Sequence, residues 1–290
     1  MQLGDESESS NVEDRRGGGI GVGGLGVGGV VVALIASYFL GIDPRTLLGV
    51  AEKVQEVRQT ASPAQGQAID PANDPEAAMK SEVSKILHKT EVTWTQIFQE
   101  AGSQYRQPRL TLYRGRIPTA CGAGQAAMGP FYCPGDQHVY LDMSFFREME
   151  TRFKAGGDFA RAYVIAHEIG HHVQKLTGIS DKTDALRQRL SGTEFNKVSV
   201  RMELQADCYA GLWAQHANKI KPFLDPNDVD EALRAANAIG DDMLQKQSRG
   251  AVVPDSFTHG TSAQRVKWFK TGFDTGSIKA CDTFSARDLG

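Results

Sequence analysis

Apolar positions divide the chain into distinct stretches. Residues 1–16, "MQLGDESESSNVEDRR", are polar and show no apolar periodicity, which predicts a disordered tail. Residues 17–41, "GGGIGVGGLGVGGVVVALIASYFLG", carry no charge. As a helix they span roughly 37 Å at ~1.5 Å per residue, enough to cross a ~30 Å hydrocarbon core. Residues 42–76 include "TASPAQGQAIDPANDPE" and read as a flexible tether. Helical spacing then sets in, with Val83, Ile86 and Leu87 followed by Trp94, Ile97 and Phe98. The intervening "KTEVT" suggests two helices, with Thr90 or Thr93 as a cap. "RLTLYRG" and "HVYLDMS" alternate and predict strands, separated by a Gly- and Pro-rich loop. Beyond Met143 the pattern is helical nearly to the end. The expected fold class is α+β: a mostly helical domain with a small sheet over 77–290, preceded by one transmembrane helix.

Charge refines the amino-terminal reading. Arg15 and Arg16 abut the apolar span, whereas Asp43 and Arg45 balance after it. The positive-inside rule then makes 1–16 cytoplasmic and puts the globular part outside the cytoplasm, in a periplasm or at the cell surface. Gly19, Gly21 and Gly24 match GxGxxG, but no strand precedes them and the run that follows lacks a polar face. A cleaved signal peptide is the other rival, and no A-x-A site ends the segment. Small residues four apart, Gly19/Gly23 and Gly24/Gly28, suit close packing of two such helices, hence a possible homodimer. With 32 Lys+Arg against 35 Asp+Glu, nucleic acid is not the expected partner.

The chemistry concentrates in "AYVIAHEIGHHVQKL", residues 162–176. His167 and His171 are i and i+4, one turn apart on one helix face, so both imidazoles can reach one metal ion. Glu168 lies about 100° round the helix from His167, placed to flank the ion and act as general base on a metal-activated water. The bland alternative is a solvated His/Glu face, but the preceding "AYVIA" is apolar on every side. Gly170 costs helix stability and implies the close approach of another backbone. His172 points elsewhere and reads as a structural or supporting group. Downstream, "RMELQADCYAGLW" sets Glu203 and Asp207 at i and i+4 on a helix with buried neighbours. Glu203 is the expected third ligand, and Asp207 the acceptor that orients a ligating histidine.

The pair "HEIGH" and "ELQAD" resembles the H-E-x-x-H … E-x-x-x-D signature of gluzincin metallopeptidases. Together with "NVEDRRG", "GPFYCP", "VYLD", "HEIGHHVQ" and "HGTSAQR", it makes the chain similar to the bacterial putative neutral zinc metallopeptidase family. The resemblance implies a zincin-like fold, one Zn2+ ion and hydrolysis of peptide bonds in a peptide or protein substrate. It suggests His259 as the oxyanion donor, against an exposed loop histidine, and residues 138–142 as an edge strand that pairs with substrate. Arg265 pairs with Asp207 or caps a helix. If the domain is exported, Cys121 pairs with Cys133 and Cys208 with Cys281; otherwise Cys208 is a buried thiol. The expected activity is that of a membrane-anchored zinc metalloendopeptidase. The rival is a zinc-stabilised, non-catalytic peptide-binding module tethered to the membrane.

Overall fold

The computed structural model describes residues 1–17, 70–249 and 251–290. Two units emerge: Met1–Asp14 with Asp74–Gly290, and Arg15–Asn73. Of the second unit only its ends are described, including a single 3-10 turn at Pro71–Asn73.

The first unit holds a four-stranded sheet with the order β1-β2-β6-β5. β1 (Val12–Asp14), β2 (Arg109–Leu112) and β6 (His138–Leu141) run parallel, and β5 (Phe131–Cys133) is antiparallel to β6. β3 (Arg116–Thr119) and β4 (Gly122–Gln125) form a separate hairpin. The helices are α1 (Ala77–Glu100), α2 (Ser144–Thr151), α3 (Asp158–Leu176), α4 (Ile179–Arg187), α5 (Gly192–Ile220), α6 (Asp228–Ala238), α7 (Asp241–Arg249) and α8 (Ser262–Thr275).

α3 is the central element. It packs against α5 and α6, and also touches α1, α4 and β5. Its inner positions Ala160, Ala162, Ala166 and Ile169 are buried, in one core with Trp94, Leu110, Leu141, Trp213 and Phe269. Capping boxes start α5 (Ser191 with Glu194) and α8 (Thr261 with Gln264), satisfying amides that a helix start leaves open. Glycine governs two helix crossings. A Cβ on Gly170 would lie 3.0 Å from the Cα and carbonyl oxygen of Ala206, so α3 and α5 approach to backbone contact. At the α5–α8 crossing, a Cβ on Gly272 would press into the Cys208 carbonyl, and one on Gly211 into that of Phe269.

Several expectations are corrected. Among the described residues no helix is long and apolar enough to cross a membrane. The transmembrane helix, and the single-pass extracytoplasmic location derived from it, are therefore not supported. All of the 17–41 stretch except Gly17 lies outside the described residues, as do the Gly pairs proposed to join a homodimer and most of the 42–76 tether. Residues 1–14 are not a free tail. Leu3 is buried, Ser9 and Asn11 donate to Glu91, β1 pairs with β2, and the Met1 ammonium lies 2.6 Å from Asp158. Pairing across the sheet, and not local periodicity, orders this segment. Residues 77–100 form one helix, in which the Thr90 and Thr93 hydroxyls do not cap a start but donate back to the carbonyls of Leu87 and Lys89. β6 is an inner strand; among the described residues the edges are β1 and β5, the latter from the stretch expected to be a loop.

Gly272→Ala is expected to destabilise the protein by about 1–3 kcal/mol through overpacking. That loss exceeds the ~1 kcal/mol that alanine gains over glycine in a helix. A denaturant midpoint at or above the wild-type value would contradict this crossing.

Candidate metal centre

The buried run before His167 fixes how α3 sits, and the i, i+4 spacing then sets both imidazoles on the same side. Their ring centroids are 4.8 Å apart, with the rings perpendicular. The Gly170–Ala206 contact lets α5 run close alongside, which brings Glu203 to the pair. Its Oε2 lies 3.1 Å from His167 Nε2, and its Oε1 3.5 Å from His171 Nε2. One ligand atom from each of His167, His171 and Glu203 lies within 4.8 Å of the other two.

The outer ring nitrogens are engaged. His167 Nδ1 is 2.8 Å from Asp207 Oδ1, and His171 Nδ1 is 2.9 Å from Gln174 Oε1. With a proton on each Nδ1, both Nε2 atoms are left to bind a cation. Asp207 is fully buried. It accepts hydrogen bonds from Tyr163 Oη at 2.6 Å, Arg265 Nε at 2.9 Å and Arg265 Nη2 at 3.0 Å. Burial alone would raise its pKa, but Arg265 and His167 outweigh it and hold the carboxyl down at about 2.

The family model of the putative neutral zinc metallopeptidases matches residues 1–284. The chain belongs to this family. It is 51% identical over 288 residues to the uncharacterized protein YpfJ of Escherichia coli strain K12, covering 96% of each chain. It is 46% identical over 196 residues to the uncharacterized protein Rv2575 of Mycobacterium tuberculosis strain H37Rv, covering 64% of this chain and 65% of the relative. No solved structure matches.

Zinc is the metal that the family description implies, and the donors of this metallopeptidase-family chain fit it. Two imidazole nitrogens and a carboxylate are a borderline-soft N/O set suited to zinc. The local charge also asks for a dication. The carboxylates of Glu168, Glu203 and Asp207 sit near the Arg265 guanidinium and three imidazoles, His167, His171 and His259, so acidic groups outnumber permanently positive ones here. Burial pushes the His167 pKa down, yet Asp207 and Glu203 hold it up at about 10. His171 is likewise raised by Glu203 against its own burial. Glu203 itself is depressed despite burial, chiefly by His171 and His259.

The cluster lines a cleft of about 810 Å³. Glu168 also lines it, is buried and, among the described residues, has no hydrogen-bond partner. Burial raises its carboxyl pKa, with His167 and His171 acting against the rise. His259 lies on the cleft too, half-exposed, with a pKa raised first by Glu203. Asp241 holds it: Oδ2 accepts the backbone N–H groups of Thr258, His259 and Gly260 at 2.7, 2.6 and 3.1 Å, and Oδ1 lies 3.3 Å from the ring Nδ1.

His172 is fully buried away from the pair. Its Nε2 donates to the Arg106 carbonyl at 2.6 Å and its Nδ1 accepts from Tyr132 Oη at 3.0 Å. Burial lowers its pKa to about 4. Cys121 and Cys133 are joined by a disulfide, as are Cys208 and Cys281, whose loop of 73 residues would contribute about 4 kcal/mol in the chain-entropy model. Tyr163, Gln174 and Asp241 were not anticipated. Tyr163 and Gln174 stand at i−4 from His167 and i+3 from His171, so helical spacing alone would have pointed to both.

Arg265→Met is expected to cost about 3–5 kcal/mol, because it leaves the buried Asp207 carboxylate without its main counter-charge. Chemical denaturation of the metal-free protein measures it, and a change below ~1 kcal/mol would contradict the pairing.

Proposed function

We propose that the chain is a zinc-dependent endopeptidase in which His167, His171 and Glu203 hold one ion and Glu168 is the general base. The observation that carries this reading is Glu168: on a residue only 8% exposed, its carboxyl lines the cleft beside the converging atoms of His167, His171 and Glu203, with no hydrogen bond to tie it down among the described residues. A peptide-binding module has no use for such a base.

Zinc, when bound, supplies Lewis acidity, making a water more acidic and stabilising negative charge on a peptide carbonyl oxygen. Glu168 takes the proton of the attacking water and returns it to the leaving amine. Its raised pKa suits both halves of that exchange, since a base too acidic holds no proton to give back. Asp207 keeps the His167 proton on Nδ1, and Arg265 keeps Asp207 ionised. His259, steadied by Asp241, donates a hydrogen bond to the developing oxyanion. β5 contributes Phe131 and Tyr132 to the cleft and ends the sheet among the described residues, so an extended substrate can pair along its outer side.

Glu168→Gln should retain stoichiometric zinc by elemental analysis while kcat on a susceptible peptide falls about 10²–10⁴-fold. Full activity in that variant would exclude Glu168 as base. Wild-type zinc with no cleavage of any peptide in a broad library would favour the binding module. His259→Ala should lower kcat about 10²–10³-fold with little change in KM. An unchanged kcat would remove His259 from the mechanism.

A further inference from the structure

Two buried glutamines connect the ligand His171 to the 3-10 turn Ile278–Cys281. Gln174 Nε2 donates to the Met202 carbonyl at 2.8 Å and to Gln205 Oε1 at 3.1 Å. Met202 offers a backbone carbonyl, which can only accept. Turning the Gln174 amide over would set oxygen against oxygen there and leave buried groups unpaired. Gln174 Oε1 is thereby committed to His171 Nδ1, 2.9 Å away, and an amide oxygen can only accept. The His171 proton is held on Nδ1, which frees Nε2 on the side of Glu203.

Gln205 repeats the device one step back. Its Nε2 donates to the Cys281 carbonyl at 3.0 Å, which turns its Oε1 toward Gln174. Cys281 is fixed by its disulfide to Cys208, the residue after Asp207. The same cross-link thus adjoins the acceptor that orients His167 and the carbonyl from which the His171 row starts. Gln174 is fully buried and Gln205 is 3% exposed, so no bulk water competes along the row.

We propose that Gln174 and Gln205 are positioning residues that relay orientation from the disulfide-held Cys281 carbonyl to His171 and so set the zinc affinity of the centre. The proposal rests on the reading of His171 as a zinc ligand. Glutamines that merely satisfied the Met202 and Cys281 carbonyls would influence stability without influencing the metal.

The test uses the full chain and three variants, Gln174→Leu, Gln205→Leu and the double substitution. Zinc dissociation constants are measured by competition with a chromophoric chelator, and the visible spectrum of the cobalt-substituted protein reports ligand geometry. Thermal melting of the metal-free forms is recorded separately. Gln174→Leu is expected to weaken zinc binding about 10–100-fold and to shift the cobalt bands. Gln205→Leu, which touches neither His171 nor the ion, weakens binding by a smaller factor in the same direction. The double variant loses no more affinity than Gln174→Leu alone, because the residues act in series. Wild-type affinity and cobalt spectrum in Gln174→Leu, whatever its melting temperature, would overturn the proposal. So would an effect confined to Gln174→Leu, which would end the relay there. Should Gln174→Leu fail to fold, Gln205→Leu decides alone. A wild-type protein without stoichiometric zinc would overturn the ligand reading itself, and is recognised before any variant is made.

Discussion

Uncompensated negative charge on one side of α3 is the constraint around which the domain is arranged. Three carboxylates converge there, and among the described residues Arg265 is the buried, permanently positive side chain set against them. A low-dielectric interior does not tolerate that imbalance without a cation or added protons. The raised imidazole pKa values and the convergence of Nε2 and carboxylate atoms are two expressions of one demand.

The packing serves that demand at close range. Gly170 lets α5 approach α3 closely enough for Glu203 to reach the imidazoles, and Gly211 with Gly272 draws α8 onto α5 so that Arg265 reaches Asp207. The cleft in front is lined by partly exposed apolar and charged groups and has room for a peptide segment.

Much of the centre was legible because it is written in helical spacing. Residues four apart share a face, so "HEIGH" and "ELQAD" announced their geometry without any alignment. Arg265 and His259 lie far along the chain, and spacing alone gave them no location. Helical spacing from His171 points to Gln174, but its link to Gln205 and Cys281 crosses α3, α5 and the turn Ile278–Cys281, and nothing local marks an amide as oriented. The sheet was the least legible part. β1, β4 and β5 lack apolar alternation, and only their partners make them strands. Thr90 and Thr93 misled because a hydroxyl that caps a helix can equally bond back inside one.

β1 has a bearing on where this domain begins. Met1–Asp14 and Asp74–Gly290 form one compact unit, and Arg15–Asn73, which lies between them in sequence, belongs to another. A fragment cut at residue 77, where the hydrophobic pattern turns helical, would lose a sheet strand, the partners of Glu91 and the lining that Leu3 gives the core. The exposed flank of β2 would then offer unpaired amides to any other chain. Residues 1–14 thus share a unit with the cleft, and removing them takes a strand from the sheet whose β5 lines it.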